Sequence, residues 1–381
     1  MKHRLMDLLA CPGCGNYPLE LTVLADEKPA GLPVEILEGI LRCDRCAQEY
    51  PVIDGIPRFN PDVYSDYPEF FRKHARHFRN QTRDDLDSFE ALHTETKQSF
   101  GYQWLRYRVS DHQENRQCFY RRTDTQPETL EGKLFFEAGC GMGRYLKVIG
   151  EEPGAEVVGL DLSLAVNRAR AENLHNPRVH VIQGNIMQLP LRPDCFDHVY
   201  SIGVLHHTPS TEESFHQIVK LAKPGGRVSI WVYHLWGSTD HSGLKALHAR
   251  LRGWISDTVR RFTTRLPHQA LHYLCYVAVP LGWLQIRVKK LPQPLRLLLS
   301  PVWLMPVSTH PEWRVRLCDT FDWYSPRYQW KHSVDEVAGW FGEAGLVDIS
   351  TKGFEVSVRG SRPGEGLAAA ATQDQNLLTA T

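Results

Sequence analysis

The sequence predicts an α/β fold built on βαβ units, with a small metal-stapled unit in front and a helical insertion behind. Three observations predict it. An apolar run, Leu134-Phe135-Phe136, ends in Glu137 and the alternate glycines Gly139, Gly141 and Gly143, after which a helical stretch begins. A second run, Glu156 to Asp161, ends in a carboxylate 22 residues after Gly139. Two Cys-x-x-Cys pairs, Cys11/Cys14 and Cys43/Cys46, open the chain. At 381 residues there is room for two or three units. The 44 basic and 44 acidic side chains cancel, so no global field draws the protein to nucleic acid.

The first 60 residues read as a unit of their own. Two Cys-x-x-Cys turns can set four thiolates tetrahedrally around one Zn²⁺, leaving no open position for catalysis. The 28 residues between them hold two expected strands, Leu19 to Leu24 and Ile36 to Arg42. So short a segment buries little core, and a structural metal would staple it. Redox or unligated cysteines are the competing reading. With nine cysteines, an odd number, and no apolar leader at the start, the chain is expected to be cytoplasmic. Leu8-Leu9-Ala10-Cys11-Pro12 and Tyr50-Pro51-Val52-Ile53-Asp54-Gly55-Ile56-Pro57 resemble the zinc-ribbon domain related to methyltransferase-activator proteins. That resemblance implies a scaffold or docking role.

Residues 61–132 are polar with scattered aromatics and read as a helical linker or N-terminal cap. His74, His77, Arg72, Arg76 and Arg79 suggest a solvated helix face. Phe100-Gly101-Tyr102-Gln103-Trp104 is either a pocket wall or a packing surface.

The core is expected over 133–233. Glycine lacks a Cβ, so the turn lets a ligand press on bare backbone and meet the N–H groups of the following helix. A dinucleotide fingerprint would need glycine at position 144, where Arg144 stands. Glu137 with G-x-G-x-G instead resembles motif I of the class I S-adenosylmethionine-dependent methyltransferases, and Asp161 stands where their ribose-binding acid stands. A bland structural turn is the alternative for the glycines taken alone. Further matches follow in order: a third strand Val179–Gln183 with Asn185 and Ile186 after it, a fourth from Cys195 to Gly203, His206-His207-Thr208-Pro209, a helix from Thr211 to Ala222, and the turn Lys223-Pro224-Gly225-Gly226 before a fifth strand to Tyr233. The resemblance implies a Rossmann-like seven-stranded sheet and S-adenosyl-L-methionine as cofactor. It places Glu137, Gly139, Cys140, Gly141, Gly143, Asp161, Leu162, Asn185, Ile186 and Ser201 around that cofactor, with Asn185 at the adenine.

The sheet's completion is expected only at 334–359, so 234–333 is an insertion at the carboxyl ends of the strands, placed to roof the pocket. Residues 244–266 carry a net charge of +5, and Ala270 to Ile286 is uncharged apart from neutral His272. That run is 17 residues broken by Pro280 and Gly282, too short to span a bilayer. Residues 244–307 are expected to form a helical lid; peripheral membrane contact and a merely packed cap are its two other readings. Residues 319–328 suggest a loop over the site, and 360–381 a disordered tail.

The reading that follows is O- or C-methylation of a small or lipid-like molecule, with His206 or His207 as general base. An RNA methyltransferase and a non-catalytic scaffold are the alternatives. Neutral charge and the absence of an Asn-Pro-Pro-Tyr-type motif after the fourth strand count against nucleic acid.

Overall fold

A computed structural model describes residues 1–28, 31, 33–78, 86–107, 111–235, 244–292, 294–295, 299–351 and 356–364. The N-terminal unit is an antiparallel four-stranded sheet, β1 (Glu20–Glu27), β2 (Glu35–Arg42), β3 (Glu49–Ile53) and β4 (Ile56–Pro57), in that spatial order. Gly15 and Ala47, each just past a second cysteine, have positive φ and close the two knuckles through Gly15 N–H to Cys11 O and Ala47 N–H to Cys43 O.

The main sheet has seven strands: β5 (Leu134–Ala138), β6 (Glu156–Asp161), β7 (Val179–Gln183), β8 (Phe196–Ile202), β9 (Ala222–Val232), β10 (Val347–Thr351) and β11 (Val356–Ser361). Their order is β10-β11-β9-β8-β5-β6-β7, and only β11 runs against its neighbours. The Rossmann-like sheet implied by the sequence is thus present. Helices cover both faces, so every residue of β5 and β7 is buried, the polar Glu137, His180 and Gln183 included. The chain leaves β5 toward β6 and β7, then returns to lay β8 on the other side. Crevices for ligands form at such a switch point.

Several expectations need correction. The helix before β9 is Thr211–Val219, and Lys223-Pro224-Gly225-Gly226 lies within β9 as a bulge: the register jumps from Phe196↔Ala222 to His198↔Arg227. Positive φ at Gly225 accommodates it. Residues 313–324 form a helix, not a loop, capped by the Glu312 carboxylate accepting from Arg314 and Val315 N–H. Leu317, Phe321 and Tyr324 recur on one buried face at helical spacing. Gly360 and Ser361 belong to β11 rather than to a tail; residues 365–381 lie outside the described residues, as does Arg79.

The two units share one core. Leu5, Leu9, Ile36 and Val52 pack in the same cluster as Phe136, Val158 and Ile182. The N-terminal unit also covers the exposed edge of the main sheet: Arg58 bridges to Gln183 of β7, and Phe59 N–H donates to Gln183 O at 2.9 Å. Buried Arg58 clamps this seam, donating at 2.7 Å both to Gln183 Oε1 and to Asn167 Oδ1. An open edge strand invites pairing, and here it is occupied within the chain.

Candidate active site

At the carboxyl ends of β5, β6, β7 and β8 lies a cavity. Gly139, Asp161, Leu162, Ser163, Asn185 and Ile186 line one part, and Val204, His207 and Thr208 another. The remaining wall is one face of the helix Leu86–Arg106: His93, Thr96, Lys97 and Phe100, spaced i, i+3, i+4, i+7. Six of the sequence-predicted residues therefore meet here: Gly139, Asp161, Leu162, Asn185, Ile186 and His207.

The others take different places. Glu137 is fully enclosed behind the turn and accepts from Tyr200 Oη at 3.0 Å, its pKa pushed up to about 8 by burial. The Cys140 side chain packs in the core beside Leu146. Ser201 Oγ donates to Ala138 O at 2.8 Å. Gly143, at φ +80, lets the helix Arg144–Gly150 approach the next one, since a Cβ would sit 2.9 Å from Ala169 Cβ. Gly141 is covered by Trp104, 3.1 Å from where its Cβ would be. None of these five lines the cavity; neither does His206.

Asp161 is held by its own loop. Its Oδ2 accepts from Gly141 N–H and its Oδ1 from Ser163 N–H, both at 2.8 Å, and Ser163 Oγ–H adds a third bond. Burial raises its pKa, while the bonds from Ser163 and Gly141 favour the carboxylate. The same bonds orient the carboxylate at the cavity's edge. Asn185 Nδ2 lies 3.1 Å from His93 Nε2, and Lys97 Nζ is paired with Asp62 at 2.6 Å and with Asp66. Asp62 and Asn60 follow β4, and Asn60 Nδ2 donates to Leu162 O at 2.9 Å. The N-terminal unit thus reaches the cavity wall.

The two histidines separate cleanly. His207 Nδ1 lies 2.7 Å from Tyr328 O, so that nitrogen carries the proton and donates. Its Nε2 is then a bare lone pair, buried and without a partner among the described residues. Burial lowers its pKa, keeping the ring neutral. His206 is enclosed among His207, Tyr233 and Trp231, its ring 4.0 Å from that of Tyr233, with its pKa lowered by burial. Of these two, only His207 lines the cavity.

The sequence expectation of a roof formed by 244–307 gains no support here: among the described residues, none of that stretch lines the cavity. The insertion instead buttresses the wall from behind. Tyr102 of the wall helix and Tyr107 just past its end pack with Leu271, Leu317 and Phe321, and Ser99 Oγ donates to Ser325 Oγ at 2.7 Å. Its nearest approach to the chemistry is the Tyr328 carbonyl on His207.

The sulfurs of Cys11, Cys14, Cys43 and Cys46 all lie within 4.8 Å of one another. The Cys11–Cys46 and Cys14–Cys43 separations are 3.5 Å, too long for a disulfide and near the roughly 3.8 Å edge of a tetrahedral zinc tetrathiolate. The four residues fit structural Zn²⁺.

Comparison with known proteins agrees with these two units. Residues 136–230 match the family described as methyltransferase domain, and residues 2–55 the family described as Trm112p-like protein. Among individual proteins, 24-methylenesterol C-methyltransferase 2 of Oryza sativa subsp. japonica is 26% identical over 52% of this chain and 60% of its own length. Sterol 24-C-methyltransferase erg6 of Schizosaccharomyces pombe is 32% identical over 29% of this chain and 30% of its own. Phosphoethanolamine N-methyltransferase 2 of Caenorhabditis elegans is 29% identical over 40% and 35%. The chain spans about half the length of the curated relatives it matches. It carries a methyltransferase domain and a Trm112p-like domain.

Proposed function

We propose that the protein is an S-adenosyl-L-methionine-dependent methyltransferase whose acceptor is a small or lipid-like molecule. The observation that carries this reading is the meeting of Gly139, Asp161, Leu162, Asn185 and Ile186 with His207 in one cavity at the switch point of the sheet. The residues present fit the cofactor. Bare backbone at Gly139, the ordered Asp161 carboxylate and the Asn185 amide suit a sugar and a base, while Leu162 and Ile186 offer apolar faces.

When bound, S-adenosyl-L-methionine supplies an activated methyl group on its sulfonium. The chain's own work is alignment and exclusion of water. Asp161 and Asn185 hold one end of the cavity, and Val204 packs over Gly139 between that end and His207. His207 Nε2 can take the proton that an acceptor hydroxyl or activated carbon loses, and the Tyr328 carbonyl steadies the imidazolium through Nδ1–H. Phe100, its ring 5.1 Å from that of His207, adds an apolar wall suited to a hydrophobic acceptor. Relatives named as sterol methyltransferases support that preference. A cytoplasmic setting, Zn²⁺ in the ribbon and peripheral contact of 244–307 with a membrane complete the proposal.

Label transfer tests it. Zinc-loaded protein with methyl-labelled S-adenosyl-L-methionine should move label into an organic-soluble product when offered a lipid extract. Label appearing only in polar products would remove the lipid-like acceptor, and no transfer to either fraction would remove the activity.

A further inference from the structure

The cap buries several polar side chains and leaves many large apolar ones exposed. In water a surface helix buries its apolar stripe and shows its polar one. The helix Leu244–Thr263 departs from this: Ser256, Arg260 and Thr263 are buried, while Leu247, Leu251, Trp254 and Phe262 are exposed beside its charges. The helices His268–Cys275 and Ala278–Lys289 bury Leu271, Cys275, Ala278 and Val288 yet also bury polar groups and leave other apolar side chains outside. His272 and Gln285 are buried; Tyr273 and Trp283 face out, as does Val277 between the two helices. Trp254, Phe262, Tyr273 and Val277 are 65%, 67%, 66% and 64% exposed, so these are whole side chains, not edges.

Specific bonds hold this orientation. Arg260 donates to the carbonyls of Trp323 and Pro326, and Thr263 Oγ1 to that of Tyr324. Gln285 Nε2 donates to the carbonyls of Val302 and Met305, and His272 Nδ1 meets Tyr107 Oη at 2.6 Å. Each helix packs on the helix Trp313–Tyr324, making one outer layer. Rotating a helix to hide its apolar side would strand those buried polar groups.

The charge on this layer selects its occupant. Arg250, Arg261, Arg265, Arg287, Lys289 and Lys290 are exposed, and the only acid from 244 to 292 is Asp257, which pairs with Lys331 at 2.6 Å. A second copy would set cation against cation. An anionic bilayer matches both features, because Trp and Tyr favour the headgroup level and basic side chains meet lipid phosphates. No helix among the described residues is long and apolar enough to cross a membrane.

We propose that the exposed face of the cap helices seats in the headgroup region of an anionic lipid bilayer. This deepens the lipid-like acceptor reading and rests on it for the substrate's source, although docking is measured apart from methyl transfer. Full-length zinc-loaded protein is floated with vesicles of phosphatidylcholine alone and of phosphatidylcholine mixed with phosphatidylglycerol. It should float only with the anionic vesicles. Trp254→Ser/Phe262→Ser and Arg261→Glu/Arg265→Glu should each weaken this by roughly tenfold or more, with far-ultraviolet circular dichroism and S-adenosylhomocysteine binding unchanged. All four side chains are exposed, so the variants should fold. Absence of flotation on anionic vesicles at low salt, or equal flotation of the variants, would overturn the proposal. So would a dimer in sedimentation that Trp254→Ser/Phe262→Ser dissolves. Intact docking with no methyl transfer would instead count against the acceptor reading alone.

Discussion

His207 and His206 are chain neighbours with opposite fates, decided by where each ring's nitrogens end. The Tyr328 carbonyl fixes the proton of His207 on Nδ1 and leaves Nε2 an unprotonated, buried lone pair on a residue that lines the cavity. His207→Asn should therefore lower kcat by about 10²- to 10⁴-fold while S-adenosylhomocysteine affinity holds; equal loss of both would make it a packing residue. Because burial lowers its pKa, the base is already unprotonated at neutral pH. The rate of the wild type should climb through a pKa below 6.5 and stay level above it, as a pH–rate profile would show. Burial also acts through stability. His198, its Nε2 2.9 Å from Ser229 Oγ, has its pKa pushed from 6.5 down to about 3. Between those values the unfolded chain binds a proton that the folded chain refuses, so stability falls as pH falls, by at most about 1.4 kcal/mol per pH unit. Glu137, raised to about 8, acts in the opposite sense from its ordinary 4.5 upward. Comparing wild type with His198→Gln by urea unfolding isolates the histidine: the variant's deficit should shrink from pH 6.5 downward. The glycine spacing and Asp161 were legible because a backbone approach and a strand-end acid leave local marks. The tautomer of His207 was not, since its partner lies 121 residues away.

Among the elements, the helix Leu86–Arg106 was the least legible for its role. Its cavity face carries His93, Thr96 and Lys97, which in sequence look like a solvated surface. They are buried because Asp62 and Asp66 neutralise Lys97 and Asn185 meets His93, contacts made across long separations. The five parallel strands were legible because burial on both faces makes each rich in β-branched, aliphatic and aromatic residues between turn signals. The helix Trp313–Tyr324 was missed where its crowded charges and aromatics masked the Leu317–Phe321–Tyr324 repeat. Local capping is readable and testable: Ser333 and Glu336 form a capping box at the start of the helix Val334–Glu343. Ser333→Ala should cost about 1 kcal/mol, seen as a lower thermal midpoint with the active site unaffected.

At the scale of the whole molecule, the N-terminal unit is a structural wall of the site. It shares the core of the main sheet, covers β7 and, through Asn60 on Leu162 O and Asp62 just beyond it on Lys97, braces two residues that line the cavity. If Zn²⁺ staples it, removing the metal with a strong chelator should lower the melting temperature and also weaken donor binding, even though the cysteines lie outside the cavity. Re-addition of Zn²⁺ should restore both; donor affinity indifferent to the metal would separate the units. The sequence showed two units but not their seam, because nothing local in Arg58 announces Gln183 or Asn167 as partners.

The most direct measurement of the central claim is calorimetric titration of zinc-loaded protein with S-adenosylhomocysteine. The account expects saturable one-to-one binding by the wild type, retained by His207→Asn, weakened by Asp161→Ala, and lost in Gly139→Val. At Gly139 φ is +84 and a Cβ would sit 2.3 Å from Val204. Absence of binding by the wild type, or binding unchanged by Asp161→Ala and Gly139→Val in folded protein, would contradict it.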